Sequence, residues 1–154
     1  MRYFTELKHR VVFGGGGIKP DIVTPYETNR FAGELYELLS SPMLNNTIYE
    51  YFSRNSRAIS VYKTFRQFDA GFMVTPDMME QLKVNFQAEY GKQAAKVWTD
   101  VRAMDVLRNR IKATLARMLF RSAGYYQEIN KDDNVIRRAL GILRSQEYSA
   151  IVGG

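Results

Sequence analysis

The sequence predicts a mainly α-helical fold, a multi-helix bundle with a short N-terminal β segment, α+β at most. From Pro25 onward, apolar residues recur at the i, i+4 and i+7 spacing of amphipathic helices. The first 24 residues instead contain short β-branched stretches around four consecutive glycines. Hydrophobic residues make up 45% and charged residues 25% of the chain, as is typical of a globular domain. We therefore divide the chain into a glycine-rich β segment, residues 1–24, and a helical tail domain, residues 25–154.

The β segment is predicted to contain a strand, a turn and an extended stretch. Residues 10–13 form the strand, Gly14–Gly17 the turn, and residues 18–24 the extended stretch. Pro20 restricts the extended stretch to a strand start, an edge or a bulge, because proline has no N–H to donate. Separated from a larger sheet, this segment is expected to expose strand edges, which favours dimerisation or strand swapping.

Three helices are predicted in the first half of the tail. The first spans residues 29–40, in which apolar residues recur with helical spacing. The second begins at Ser41-Pro42, an N-cap hydroxyl followed by a proline in the first turn, and runs to about Arg57. The third opens at Thr64, which forms a capping-box pattern with Gln67.

Three more helices are predicted in the second half. One begins at Thr75-Pro76 and stops at Gly91. The next covers residues 100–121 and is expected to be broken by Gly124. The last covers residues 132–146, with the dipole of its first turn favouring the aspartates there. The apolar side chains that this last helix is expected to bury are Val135, Ile136, Ala139, Leu140 and Leu143.

The net charge of +6 is unevenly distributed. Residues 101–144 hold ten Lys and Arg against four Asp and Glu, while the rest of the chain is neutral. On a helical projection of residues 100–121, four arginines lie opposite the apolar sector: Arg102, Arg110, Arg117 and Arg121. They form either a solvated helix face or a basic contact surface for nucleic acid or an acidic protein. Arg108 projects from the apolar sector, where it either extends its charge to solvent or contacts a docked partner.

Motifs for catalysis or cofactor binding fail on spacing, so no cofactor is expected. Gly14–Gly17 matches neither a phosphate loop nor a dinucleotide-binding fingerprint, since Lys19 occupies the position where either motif requires glycine. His9 is the only histidine and has no nucleophile motif near it, and there is no cysteine, so a metal site is not predicted. The sequence contains no stretch of about 18 apolar residues, which is the length needed to span a membrane. No signal peptide opens the chain, because its first residues lack an apolar core.

Two stretches resemble a known family. Val12 to Val23, with Gly16, Gly17, Ile18, Pro20 and Asp21 at its centre, resembles the Gly-Gly-Ile-x-Pro-Asp segment of carboxyl-terminal processing (tail-specific) serine peptidases. Residues 107–143 resemble the helical tail of the longer bacterial members, most like those of Bacteroidetes. Phe65 and Phe68, which precede Val74-Thr75, also fit that tail, so the resemblance extends over nearly the whole chain.

The resemblance implies a serine endopeptidase with a Ser–Lys dyad, working in the periplasm or cell envelope on protein or peptide substrates. In that family the dyad lies well before the glycine-rich segment, and only 13 residues precede Gly14 here. No catalytic residue can therefore be assigned in this chain, which we expect to be inactive alone. Its expected partners are the protease core of the same parent chain and a second copy of itself. Met1 is then expected to mark a boundary inside a longer protein.

A different interpretation is a basic helical module that binds nucleic acid or an acidic protein through its arginines. Nucleic acid is the less favoured of these partners, because the aromatic residues fall near the apolar stripes of helices, as core residues do. Phosphate binding would weaken steeply with salt, which separates this interpretation from the peptidase one.

Overall fold

The structure, a computed structural model, describes residues 2–7, 9, 11–15, 20–25, 33–91 and 96–153. It is mainly α-helical with one small antiparallel sheet, as the sequence predicts. Packing divides the chain into two units, one of residues 27–131 and the other of residues 1–26 with 132–154. The division predicted between residues 24 and 25 remains a prediction.

The sheet is a hairpin of two three-residue strands, β1 (Arg2–Phe4) and β2 (Val11–Phe13). Arg2 lies opposite Phe13 in the antiparallel register. The predicted strand at residues 10–13 is confirmed for its described part, and its partner precedes it. The strands continue into Gly14, where a Cβ atom would collide with the ring of Tyr3. The described residues 20–25 contain bends and no strand.

Eight α-helices follow in the described part of the chain: α1 (Glu34–Ser40), α2 (Pro42–Arg54), α3 (Ser56–Ile59), α4 (Phe65–Gly71), α5 (Pro76–Tyr90), α6 (Val101–Ile129), α7 (Asn134–Leu143) and α8 (Glu147–Gly153). Three predicted start signals are confirmed. The hydroxyls of Ser41 and Thr75 each accept a hydrogen bond from the backbone N–H three residues on. Thr64 and Gln67 form the full capping box.

Two predicted helix boundaries differ from the structure. The first helix begins at Glu34, because Gly33 adopts a positive φ of 75° that a helix does not contain; predicted residues 29–32, with Phe31, lie outside the described residues. The second helix ends at Arg54 rather than Arg57, since Asn55 leaves helical geometry at φ −109°, ψ 15° before the short α3.

The hydrophobic core lies within the unit of residues 27–131. Its most buried large side chains, each at most 2% exposed, come from α1, α2, α4, α5 and α6: Leu38, Leu44, Ile48, Phe68, Met78, Leu82, Phe86, Leu107, Ile111 and Leu115. The apolar sector predicted for residues 100–121 is thus largely confirmed; its members are Val101, Met104, Leu107, Ile111, Leu115, Met118 and Leu119. Val101, at its start, is the exception, with 73% of the residue exposed.

The long helix α6 reverses direction at Arg121, whose φ of 59° and ψ of −154° are not helical. Gly124 lies against the carbonyl of Ala116, which would be about 12 Å away on a straight helix. We call residues 101–120 the outgoing arm, residues 122–129 the return arm, and the two together the α6 hairpin. The predicted end of this helix at Arg121 coincides with the reversal, whereas Gly124, predicted to break it, lies inside the return arm, where its missing side chain lets the arms approach closely.

The last predicted helix, residues 132–146, corresponds to α7 alone, and α8 lies beyond the predicted range. Its predicted burial is wrong. Within α7 only Ile142 is buried; Val135 is 45%, Leu140 44% and Leu143 60% exposed, Ala139 is also exposed and Ile136 is half-buried. The helical period correctly groups these side chains on one face, but periodicity does not determine whether another element covers that face.

Candidate functional site

The α6 hairpin presents the residues that the sequence marked as a basic surface. Its two arms pack so closely at Gly124 that a Cβ atom there would lie 2.6 Å from the carbonyl oxygen of Ala116 and 2.7 Å from the Cβ of Phe120. Phe120 in turn contacts the rings of Phe65 and Phe68 on α4 edge to face. The reversal is therefore anchored to the core and holds the return arm in a fixed position.

Four charged side chains join the two arms to α4, and we call them the charge network: Asp69, Lys112, Glu128 and Lys131. The ammonium of Lys112 lies 3.0 Å from the Asp69 carboxylate and 3.8 Å from that of Glu128. Lys131 donates to the Glu128 carboxylate at 2.7 Å and also to Asp69. The Glu128 side chain is only 6% exposed. Such a buried carboxylate is stable only when cations neutralise it, as both lysines do here.

Within the charge network, the pKa values of Asp69 and Lys131 are both shifted in the direction that favours the charged form. The hydrogen bond from Lys131 holds the pKa of Asp69 below its ordinary value, against the opposing effect of burial, and Lys112 acts in the same direction. Burial lowers the pKa of Lys131, but the hydrogen bonds to Asp69 and Glu128 outweigh it and raise the pKa overall. A lysine with a raised pKa is protonated at neutral pH and binds carboxylates rather than accepting a proton.

On the α6 hairpin, Tyr125 of the return arm contacts two arginines of the outgoing arm. The guanidinium of Arg110 donates to the Tyr125 hydroxyl. The central carbon atoms of Arg110 and Arg117 each lie 5.7 Å from the centroid of its ring, within cation–π range. Tyr126 packs edge to face against Tyr125, with their ring centroids 5.4 Å apart. We call Arg110, Arg117 and Tyr125 the arginine–tyrosine cluster.

The charges of this face are not neutralised within the described residues. None of Arg102, Arg110, Arg117 and Arg121 has a carboxylate within 4.0 Å there. Arg108, by contrast, is paired with Asp105 at 2.9 Å. Arginines that no carboxylate of the described residues neutralises are available to an external anion.

The structure brings together only part of the predicted basic surface. Arg102 is exposed in the first turn of α6, and Arg121 is exposed at the reversal. Of the residues that carry the family resemblance, Pro20 and Asp21 are exposed, while Gly16, Gly17 and Ile18 lie outside the described residues. Arg110 and Arg117 are the predicted residues that meet at one point.

Arg108 lines a shallow cleft of about 300 Å³ between α5 and the start of α6. Its lining residues are Val74, Pro76, Met79, Glu80, Lys83, Trp98, Met104 and Arg108. The indole nitrogen of Trp98 is buried and has no hydrogen-bond partner among the described residues. Both cations of the cleft are next to carboxylates of their own helices, Lys83 to Glu80 at 3.7 Å and Arg108 to Asp105.

Other groups considered for chemistry have structural roles. The buried Ser41 hydroxyl donates to the Leu38 carbonyl and accepts from the Leu44 N–H, as a cap does. Asp133, one of the two aspartates near the last helix, caps α7. Within the described ranges no three potential ligands converge as a metal site, and no helix there is long and apolar enough to cross a membrane.

Sequence reasoning missed Tyr125 and the charge network. Their members are far apart in the chain, and the reversal that brings them together occurs at an arginine, a residue rarely found at positive φ. The one available signal was Gly124, a residue without a side chain where two arms could approach.

The fold and the site together thus define the class of this protein, a mainly α-helical domain with a cationic α6 hairpin. The chain belongs to a family of unknown function, DUF8443, whose sequence profile matches residues 35–121. That range contains the cleft and the whole outgoing arm, with Arg110 and Arg117. No curated protein and no solved structure matches the chain.

Proposed function

We propose that this chain is the non-catalytic C-terminal part of a carboxyl-terminal processing serine endopeptidase of the cell envelope. Residues 1–24 contribute closing strands to the protease core of the parent chain. Residues 25–154 brace that core, shape the access of protein or peptide substrates to it, or mediate self-association. The parent's Ser–Lys dyad performs the proteolysis.

The exposure of the β1–β2 hairpin carries this proposal. All six residues of β1 and β2 are exposed, including Tyr3 at 49%, Phe4 at 62%, Val11 at 49%, Val12 at 43% and Phe13 at 66%. A two-stranded ribbon with both faces in water is marginally stable. Aromatic and β-branched side chains are typical of strands buried within a larger sheet. A hairpin of this composition gains its stability from additional strands.

Position in the chain adds support. The hairpin leads directly into the glycine-rich segment that resembles the end of a protease core, with Pro20 and Asp21 following. The helices come after it, in the order found in the longer bacterial peptidases that the tail resembles.

The reading frame upstream of Met1 tests the proposal most directly. We expect continuous coding sequence with a Gly-Ser-x-Ser segment and a lysine about 25 residues later, the dyad that activates serine without histidine. An in-frame stop codon immediately before Met1, with no such segment, would contradict it.

Two measurements on the protein itself complement this test. The purified chain should not cleave an unstructured peptide, and cleavage abolished by replacing one of its own serines would refute the proposal. In hydrogen exchange, the amides of β1 and β2 should exchange far faster than those of α5. Strong protection of the hairpin in the monomeric chain would show that it needs no further strands.

A further inference from the structure

We propose that the arginine–tyrosine cluster is a docking surface for an acidic segment of a protein partner, with carboxylates binding Arg110 and Arg117. The inference is independent of the proposed function, because it rests on the α6 hairpin and not on the β segment.

The two guanidiniums are already positioned for an anion. Both are held at 5.7 Å from the ring centroid of Tyr125, and the Tyr125 hydroxyl accepts a hydrogen bond from Arg110. Tyr125 itself lies on the return arm, which Gly124 and the charge network fix against the core. Holding a long side chain before binding reduces the conformational entropy lost on binding.

Arrangement and charge define the ligand. Arg110 and Arg117 are seven residues apart on a helix, so their Cα atoms are separated by about 10 Å along its axis. Carboxylates that share one face of an extended peptide are two or four residues apart, about 7 or 13 Å at about 3.3 Å per residue, and these distances bracket that separation. A guanidinium binds a carboxylate through two parallel hydrogen bonds, and a bound acidic segment would also relieve the repulsion between the two arginines.

Protein carboxylates fit this surface better than nucleic acid does. The Tyr125 ring is already contacted by two guanidiniums and by Tyr126, so it offers a poor platform for stacking a base. Affinity for nucleic acid also depends on the number of phosphates neutralised, and this cluster supplies only two cations.

The test is fluorescence anisotropy with a labelled peptide of about 15 residues, carrying glutamate at every second position in a glycine–serine background. At about 20 mM salt, where the screening length is about 20 Å, we expect a Kd of about 100 μM or tighter. The Arg110→Gln/Arg117→Gln double variant should raise the Kd about ten-fold. Tyr125→Leu, which leaves the net charge unchanged, should raise it about three-fold by releasing both guanidiniums.

A charge-matched control, Arg102→Gln/Arg144→Gln, removes two exposed arginines outside the cluster and should change the Kd less than two-fold. Circular dichroism verifies that every variant is folded. The proposal is overturned if the control weakens binding as much as the cluster variant, or if a glutamine version of the peptide binds equally well. It is also overturned if the wild-type protein does not bind the acidic peptide, or if duplex DNA competes more strongly than unlabelled peptide.

Discussion

Glu128 is the member of the charge network whose replacement should cost the most stability. Its side chain is 6% exposed, whereas those of Lys112 and Lys131 are 19% and 37% exposed. Glu128→Gln keeps the shape of the side chain and removes its charge. The two lysines would then share Asp69 alone, which leaves an excess positive charge in a partly buried site.

The expected magnitude follows from this intermediate burial. Breaking a fully buried ion pair costs about 3–5 kcal/mol, and an exposed pair is worth about 0.2–1 kcal/mol. Since Glu128 is buried but its lysine partners reach solvent, we expect Glu128→Gln to lower the free energy of unfolding by about 2 kcal/mol. For a chain of this size, that loss corresponds to a Tm about 4–8 °C lower.

Urea and thermal denaturation, followed by circular dichroism at neutral pH, measure this loss. Glu50→Gln is the matched control, because Glu50 pairs with Arg54 at 2.9 Å while both side chains are more than half exposed. The control should lower the unfolding free energy by less than about 0.5 kcal/mol. If the two variants are equally stable, the charge network does not hold the α6 hairpin.

Three further predictions concern the same unit. Arg121→Gly should raise the free energy of unfolding by about 1 kcal/mol, since glycine adopts φ 59° without strain; a lower Tm would contradict the turn described here. Gly124→Ala should lower the free energy of unfolding by about 2 kcal/mol in urea denaturation, because its Cβ would lie 2.6 Å from the Ala116 carbonyl oxygen. The control Gly141→Ala, whose Cβ would have nothing within 4 Å, should leave the protein equally stable or more stable. The pKa of Asp69 is depressed below its ordinary 3.8, so its contribution to stability is present above that pH and is lost as the pH falls through the pKa of the folded state. Asp69→Asn should therefore weaken the decrease of Tm in acid. An unchanged profile of Tm against pH would argue against the ion pairs.

Local signals in the sequence predicted most helix starts. Ser41, Thr64 and Thr75 were predicted as N-caps and act as N-caps, because a hydroxyl reaches a backbone N–H a fixed three residues away in any context. The apolar stripe through Leu107, Ile111 and Leu115 was also predictable from local sequence, because the period of the helix determines which residues share a face.

What the sequence could not predict depends on distant parts of the chain. The meeting of Tyr125 with Arg110 requires the reversal at Arg121, and no local preference places a turn at an arginine. The burial predicted for the apolar face of α7 is wrong for a related reason. The pattern that groups Val135 and Leu140 on one face is the same whether that face is covered or not.

The α6 hairpin constrains the length of the chain as well as its composition. Inserting one residue between Lys112 and Arg121 would rotate the reversal by about 100° relative to the earlier part of the helix. Glu128 would then miss Lys112, and Tyr125 would miss Arg110 in the same step. Insertions and deletions should therefore be tolerated poorly throughout this stretch, and a chain that altered its length there would lose its cationic surface and its buried ion pairs together.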